Sequence, residues 1–175
     1  MEDIRYPIGT FHHDGEIDAA QRKSWIYEIA SLPEQLGEAV SGLSSEQLST
    51  PYRDGGWTVR QVIHHVADSH MNAYIRLKLA LTEDNPVIKP YYEDRWAELQ
   101  DTELEPVETS LALLASLHRR WTTLLQSLPG EAYGRTFYHP EQGTSIPLDV
   151  NLGMYAWHGR HHLAHIVHLK HRKGW

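Results

Sequence analysis

Residues 58–81 read TVRQVIHHVADSHMNAYIRLKLAL, and Pro86, Pro90 and Pro106 punctuate the stretch 83–107 that follows. Thr58 with Gln61 three positions on has the form of a capping box, which opens a helix. Val62, Val66, Ala73, Leu77 and Ala80 then recur on one stripe, as in a helix that buries one side. A connection as long as 83–107, with room for a short helix around Glu93–Leu99, suits a crossover at a bundle end. Such a crossover leaves the flanking helices parallel.

Three more helical patterns lie outward from this one. The first runs from about Asp18 to Gly42, with Trp25, Ile29, Leu32, Leu36 and Val40 spaced by three or four; Pro33 within it predicts a kink or break. The segment LSSEQLSTPYRDGGW at 43–57 reads as a loop with one helical turn. A third helix is predicted over Val107–Leu128, carrying Leu111, Leu114, Leu117, Trp121 and Leu125, and Pro129-Gly130 stops it. Residues 131–147 suggest two short extended pieces around a turn. Pro147 suits the first turn of a fourth helix reaching about Lys170. Four long helices and one crossover predict an all-α four-helix bundle, in one domain spanning 1–175.

Composition narrows the function. The 41% apolar and 22% charged residues are ordinary globular usage, so a buried core is expected. The absence of cysteine excludes disulfides, thiolate metal sites and cysteine nucleophiles. The start, MEDIRYPIGT, lacks the pattern of a signal peptide, and no run of about 18 apolar residues occurs; a cytoplasmic protein with no membrane partner is expected. A net charge of −7 with scattered cations argues against nucleic acid as a partner. The basic run His168–Lys173 reads as cations at a helix C-terminus.

Histidine is the outlier, with 13 copies, six of them between 158 and 171. His158 and His162 are four apart, as are His161 and His165, and at about 100° per residue each pair shares a face and can chelate one ion. With His158 at zero, His162 falls at about 40°, Tyr155 at about 60° and Leu169 at about 20°, whereas His161 lies off to one side at about 300°. The apolar mass therefore favours His158 and His162 as the inward pair. The plain alternative is a histidine-rich solvated or core-satisfied face. On the second helix His64 faces away from the apolar stripe and is expected in solvent. His65 lies on a polar margin with Asp68, Asn72 and Arg76, as a ligand or a hydrogen-bonded core-edge ring. His118, within the third helix's stripe, reads better as a satisfied core histidine than as a ligand.

Neutral imidazole suits zinc, nickel and related ions. Three imidazoles from two helices would leave coordination positions open for water or substrate. Asp68 is a candidate to orient an imidazole; Asn72, Arg76 and Tyr155 are candidates to contact substrate. Gly159, Arg160 and His161 separate the His158–His162 pair, so it is not the H-E-x-x-H metalloprotease signature, and any general base comes from elsewhere. No G-x-G-x-x-G, P-loop or G-x-S-x-G motif occurs.

YPIG near the N-terminus, TPYRDGGWTVRQVIHHVADSHMN in the middle and WHGRHHLAHI near the end together resemble the DinB-like superfamily, most closely its YfiT-type branch of metal-dependent hydrolases. The resemblance implies a four-helix bundle with a long crossover between helices two and three, often as a homodimer. It also implies one divalent metal per chain on His65, His158 and His162, with zinc the usual ion and nickel the alternative. The implied activity is hydrolysis of a small-molecule substrate. Some DinB-like proteins are instead thiol S-transferases, in which the metal activates a low-molecular-weight thiol such as bacillithiol. A non-catalytic metal or small-molecule binding protein is the remaining rival.

Overall fold

Thr58 closes the expected capping box: its hydroxyl oxygen accepts from the Gln61 amide at 3.2 Å, and the Gln61 side-chain oxygen accepts from the Thr58 amide at 2.9 Å. In the computed structural model, which describes residues 4–175, the helix so started is α3, Val59–Thr82. The first three residues of the expected 1–175 domain lie outside the described residues. Before α3 come α1 (Ala19–Val40), capped by Asp18, and one turn, α2 (Ser45–Leu48), in the predicted loop. The crossover holds two short helices, α4 (Glu93–Trp96) and α5 (Gln100–Leu104), where one was expected. Then follow α6 (Val107–Ser127), a 3₁₀ turn at Gly130–Gly134, strands β1 (Thr136–His139) and β2 (Thr144–Pro147), and α7 (Leu148–Lys173).

Cross-helix pairs give the directions. Arg60 reaches the Glu105 carbonyl, His64 meets Ser110 and His70 meets His118, so α3 and α6 run parallel, as a crossover demands. The Ala39 carbonyl accepts from Lys170, and Trp25 and Leu32 lie against Gly153 and Gly159, so α1 and α7 are also parallel. α1 packs on α6 and α7, and α3 packs on the same two helices, which places α1 and α3 on a diagonal. The two strands pair antiparallel, with Phe137 opposite Ile146. Mutual bonds between Pro86–Ile88 and Tyr138 tie this hairpin to the crossover. No helix among the described residues is long and apolar enough to cross a membrane.

Of the kink or break expected at Pro33, no break occurs: α1 runs through it as one helix. Proline has no N–H to give the carbonyl four residues back. That carbonyl, on Ile29, instead accepts from His118 Nδ1 at 2.6 Å, so the missing helix bond is replaced from a neighbouring helix.

The core has two apolar clusters. One gathers Trp25, Ile29, Leu77, Trp121, Phe137 and Leu152. The other gathers Leu36, Val62, Ile63, Leu114, Ile166 and Leu169. On three of the four long helices histidines lie between the clusters: His70 on α3, His118 on α6, and His158 with His162 on α7.

Close α1–α7 contact requires a small residue at 153. A Cβ there would meet three ring carbons of buried Trp25 at 2.7–2.9 Å. Gly153→Ala is expected to lower stability: overpacking costs about 1–3 kcal/mol, more than the helix-propensity gain of about 1 kcal/mol. Gly37→Ala, in α1 with nothing within 4 Å of the new methyl, should raise it by about 0.5–1 kcal/mol. Urea unfolding of both variants checks the contrast.

Candidate metal centre

His65 comes from α3, and His158 and His162 come from successive turns of α7. One ring nitrogen from each lies within 4.8 Å of the others. His65 Nε2 and His158 Nε2 are 3.3 Å apart. Two nitrogens bound to one zinc at about 2.0–2.1 Å and a roughly tetrahedral angle stand about 3.3 Å apart, so the spacing fits a shared ion. Trp57 leans over the group, 4.4 Å between ring centroids from His65 and 6.3 Å from His162.

Burial sets the charge of these rings. Desolvation pushes His65 down to about 4, with His161 adding to the effect. His158 and His162 lie well below the ordinary histidine range, first through burial and then through neighbouring imidazoles. All three are therefore neutral at pH 7, the form in which a ring nitrogen donates to a metal. The donor set and its spacing fit a divalent transition ion.

A second group overlaps the first. Nitrogens of His161, His162 and His165 also lie within 4.8 Å of one another. His161, placed off to one side by its helical angle, is buried, because the N-terminal segment covers that face. Tyr6 packs on the His161 ring, and His165 Nε2 meets the Arg5 carbonyl at 3.2 Å. His162 belongs to both groups and a neutral imidazole has one free lone pair, so an ion in one group leaves the other with two rings. The Nδ1 atoms of His161, His162 and His165 are buried without a hydrogen-bond partner among the described residues.

The histidines form one wall of a cavity of about 590 Å³, whose lining also includes Arg53, Trp57, Arg76, Tyr91, His139 and Tyr155. Of the candidates on the margin of α3, Arg76 reaches this cavity. Asp68 and Asn72 do not line it. Burial and the nearby Asp101 raise the Asp68 carboxyl to about 6, and it forms no hydrogen bond to an imidazole among the described residues. The Asn72 amide donates to the Asp68 backbone carbonyl at 2.9 Å, within α3 itself. Tyr155 lies against both His158 and His70.

His64, expected in solvent, is only 7% exposed, and its Nδ1 lies 2.7 Å from the Ser110 hydroxyl. The parallel α6 covers the face that the apolar stripe of α3 leaves uncovered. His118 is a satisfied core histidine, as expected, bonded to Ile29 and to His70. Two rings carried no expectation. His70 is fully buried, with Nδ1 2.9 Å from His118 Nε2 and Nε2 3.2 Å from His158 Nδ1. His139, on β1, joins the cavity wall with its Nδ1 buried and unpartnered among the described residues. Its only sequence signal is residue type, because a hairpin's position over a bundle is set by long-range packing.

Comparisons with known proteins identify the family. The DinB superfamily model matches residues 28–166. A protein of Oceanobacillus iheyensis named "Putative metal-dependent hydrolase" is 60% identical over 171 residues, 98% of each chain. One of the same name from Bacillus cereus is 57% identical over 175 residues, the whole of both chains. Among solved structures, YfiT from Bacillus subtilis, described as a "probable metal-dependent hydrolase with an unusual four-helix bundle topology", superposes with a TM-score of 0.97 at 50% identity over 99% of both chains. The chain belongs to the DinB superfamily.

The buried histidines make stability depend on pH with a definite sign. His65, His118 and His165 are lowered to about 4, each mainly by burial, against about 6.5 when unfolded. Between those values the unfolded chain binds more protons, so their contribution is complete above about 6.5 and is lost as pH falls through about 4. Thermal midpoints of the metal-free protein should fall steeply across that window. Asp68 has the opposite sign, its carboxylate destabilising the fold as pH rises through about 6. Asp68→Asn should therefore raise the midpoint at pH 7.5, and the gain should shrink as pH is lowered toward 4.

Proposed function

We propose that this protein is a metal-dependent hydrolase acting on a small-molecule substrate, with one divalent ion held by His65, His158 and His162. The observation that carries the reading is the convergence of three neutral imidazoles from two helices on the wall of an open cavity. A closed structural site would surround the ion with protein ligands; three ligands beside a cavity leave room for water and substrate. The names of the relatives support hydrolysis as the reaction class. The three-imidazole donor set suits zinc and nickel alike, and the resemblance to DinB-like proteins puts zinc first.

Bound there, a divalent ion supplies Lewis acidity toward a carbonyl or phosphoryl oxygen and acidifies a water in its open position. The chain's own residues do the rest. The imidazoles donate from fixed rings, and Trp57 screens two of them from bulk water. Arg76 is half-buried on the cavity wall and makes no hydrogen bond or ion pair among the described residues, which leaves its guanidinium free to orient an anionic or carbonyl group of the substrate. Glu93, Asp94 and Glu141 also line the cavity and are the carboxylates available for proton transfer.

Metal analysis of purified variants tests the site. His65→Ala and His158→Ala should each lose most bound metal, and full stoichiometry in both would overturn the three-ligand assignment. Activity has its own test, with zinc- and nickel-loaded protein screened against ester, amide and phosphoester panels and against thiol-plus-electrophile pairs. Metal-dependent hydrolysis abolished by His162→Ala is the expected result. Metal-dependent thiol conjugation without hydrolysis would move the protein to the S-transferase class, and no turnover in any panel would favour a binding protein.

A further inference from the structure

A continuous line of hydrogen-bonded rings runs behind the candidate metal centre and ends on the carbonyl that Pro33 frees. Ile29 O contacts His118 Nδ1 at 2.6 Å, His118 Nε2 contacts His70 Nδ1 at 2.9 Å, and His70 Nε2 contacts His158 Nδ1 at 3.2 Å. A carbonyl oxygen only accepts, so His118 must carry its proton on Nδ1. A neutral His118 then has a bare Nε2, which accepts from His70 Nδ1–H. By the same rule His70 presents a bare Nε2, which accepts from His158 Nδ1–H. The last ring is left with its lone pair on Nε2, the atom 3.3 Å from His65 Nε2.

The opposite polarity fails on charge. With the Ile29 link kept, reversing the His118–His70 bond requires a doubly protonated His118, and reversing the His70–His158 bond alone requires a doubly protonated His70; either is a cation in the bundle core with no carboxylate bonded to any of the three rings among the described residues. An uncompensated buried charge of that kind costs several kcal/mol.

We infer that Pro33, His118 and His70 form a relay that fixes His158 in its Nδ1–H tautomer and aims its Nε2 lone pair into the candidate metal centre. His70 and His118 are thus positioning residues, and Pro33 supplies the acceptor that starts the chain. The tautomer assignment stands on hydrogen-bond geometry and the cost of a buried charge; its consequence for metal binding rests on the ligand role proposed for His158. Partners of this kind typically change metal affinity by about 10–100-fold when removed.

Long-range ¹H–¹⁵N correlation spectra of the metal-free protein read the tautomer directly, with His158 assigned by the signal lost in His158→Gln. The expected result is a protonated Nδ1 on His158, His70 and His118; a protonated Nε2 on His158 would overturn the relay. Zinc affinity, measured by competition with a chelating dye, should fall about 10–100-fold in His70→Leu. It should stay within a few-fold of wild type in His70→Gln, whose amide oxygen can take the place of Nε2. Wild-type affinity in a folded His70→Leu would also overturn the relay, and if that variant does not fold, the wild-type tautomer decides alone. Failure of the wild-type chain to bind zinc would count against the metal reading, whereas the tautomer is read without metal and judges the relay separately.

Discussion

Imidazoles placed between two apolar clusters in the middle of a helical bundle must be neutral and must find partners. An unsatisfied buried polar group costs about 1–3 kcal/mol, and a charged one far more. Much of the architecture meets that constraint. Pro33 leaves an accepting carbonyl where a helix interior normally has none, and His118 uses it. The parallel packing of α3 on α6 brings Ser110 to His64 and His118 to His70. Among the described residues, the buried imidazole nitrogens left without a partner are Nδ1 of His139, His161, His162 and His165, on residues that line the cavity, and Nε2 of His64, while the Nε2 atoms of His65 and His158 face each other at 3.3 Å on the cavity wall. A cluster with lone pairs left over on its open side is suited to an electrophile, and a divalent cation is the electrophile that imidazole prefers.

The same constraint explains why the site is fixed by topology. α1 and α3 each pack mainly on α6 and α7, which lie between them. Ligands from α3 and α7 can then meet across one interface while α6 supports the ring behind them. A plain up-and-down bundle would run α3 and α6 antiparallel and would not bring His64 to Ser110 and His70 to His118 in step. The long crossover through α4 and α5 is what makes the parallel pair possible.

Much of this was legible in the sequence because it depends on local rules. The Thr58–Gln61 box marked the start of α3, Pro129-Gly130 marked the end of α6, and the proline-punctuated stretch announced the crossover. His158 and His162 separated from His161 by helical angle, although burial of His161 and His165 under the N-terminal segment could not be read that way. His64 was misplaced because one apolar stripe does not reveal a second neighbour packed on a polar flank. His70 and His139 went unread for a related reason: the partners of His70 lie on α6 and α7, and His139 reaches the cavity wall only through the packing of the hairpin, at separations no periodicity reports. Pro33 was recognised as a disturbance of α1, but whether it breaks the helix or donates its orphan carbonyl depends on the residue that α6 places opposite.

Two overlapping histidine groups share His162, and only one of them is backed by the relay through His70. Diffraction from zinc-soaked crystals, recorded on both sides of the zinc absorption edge, locates the ion without reference to activity. A single anomalous peak among His65, His158 and His162, on the side open to the cavity, is the predicted result. A peak among His161, His162 and His165, or none in either group, would contradict the account.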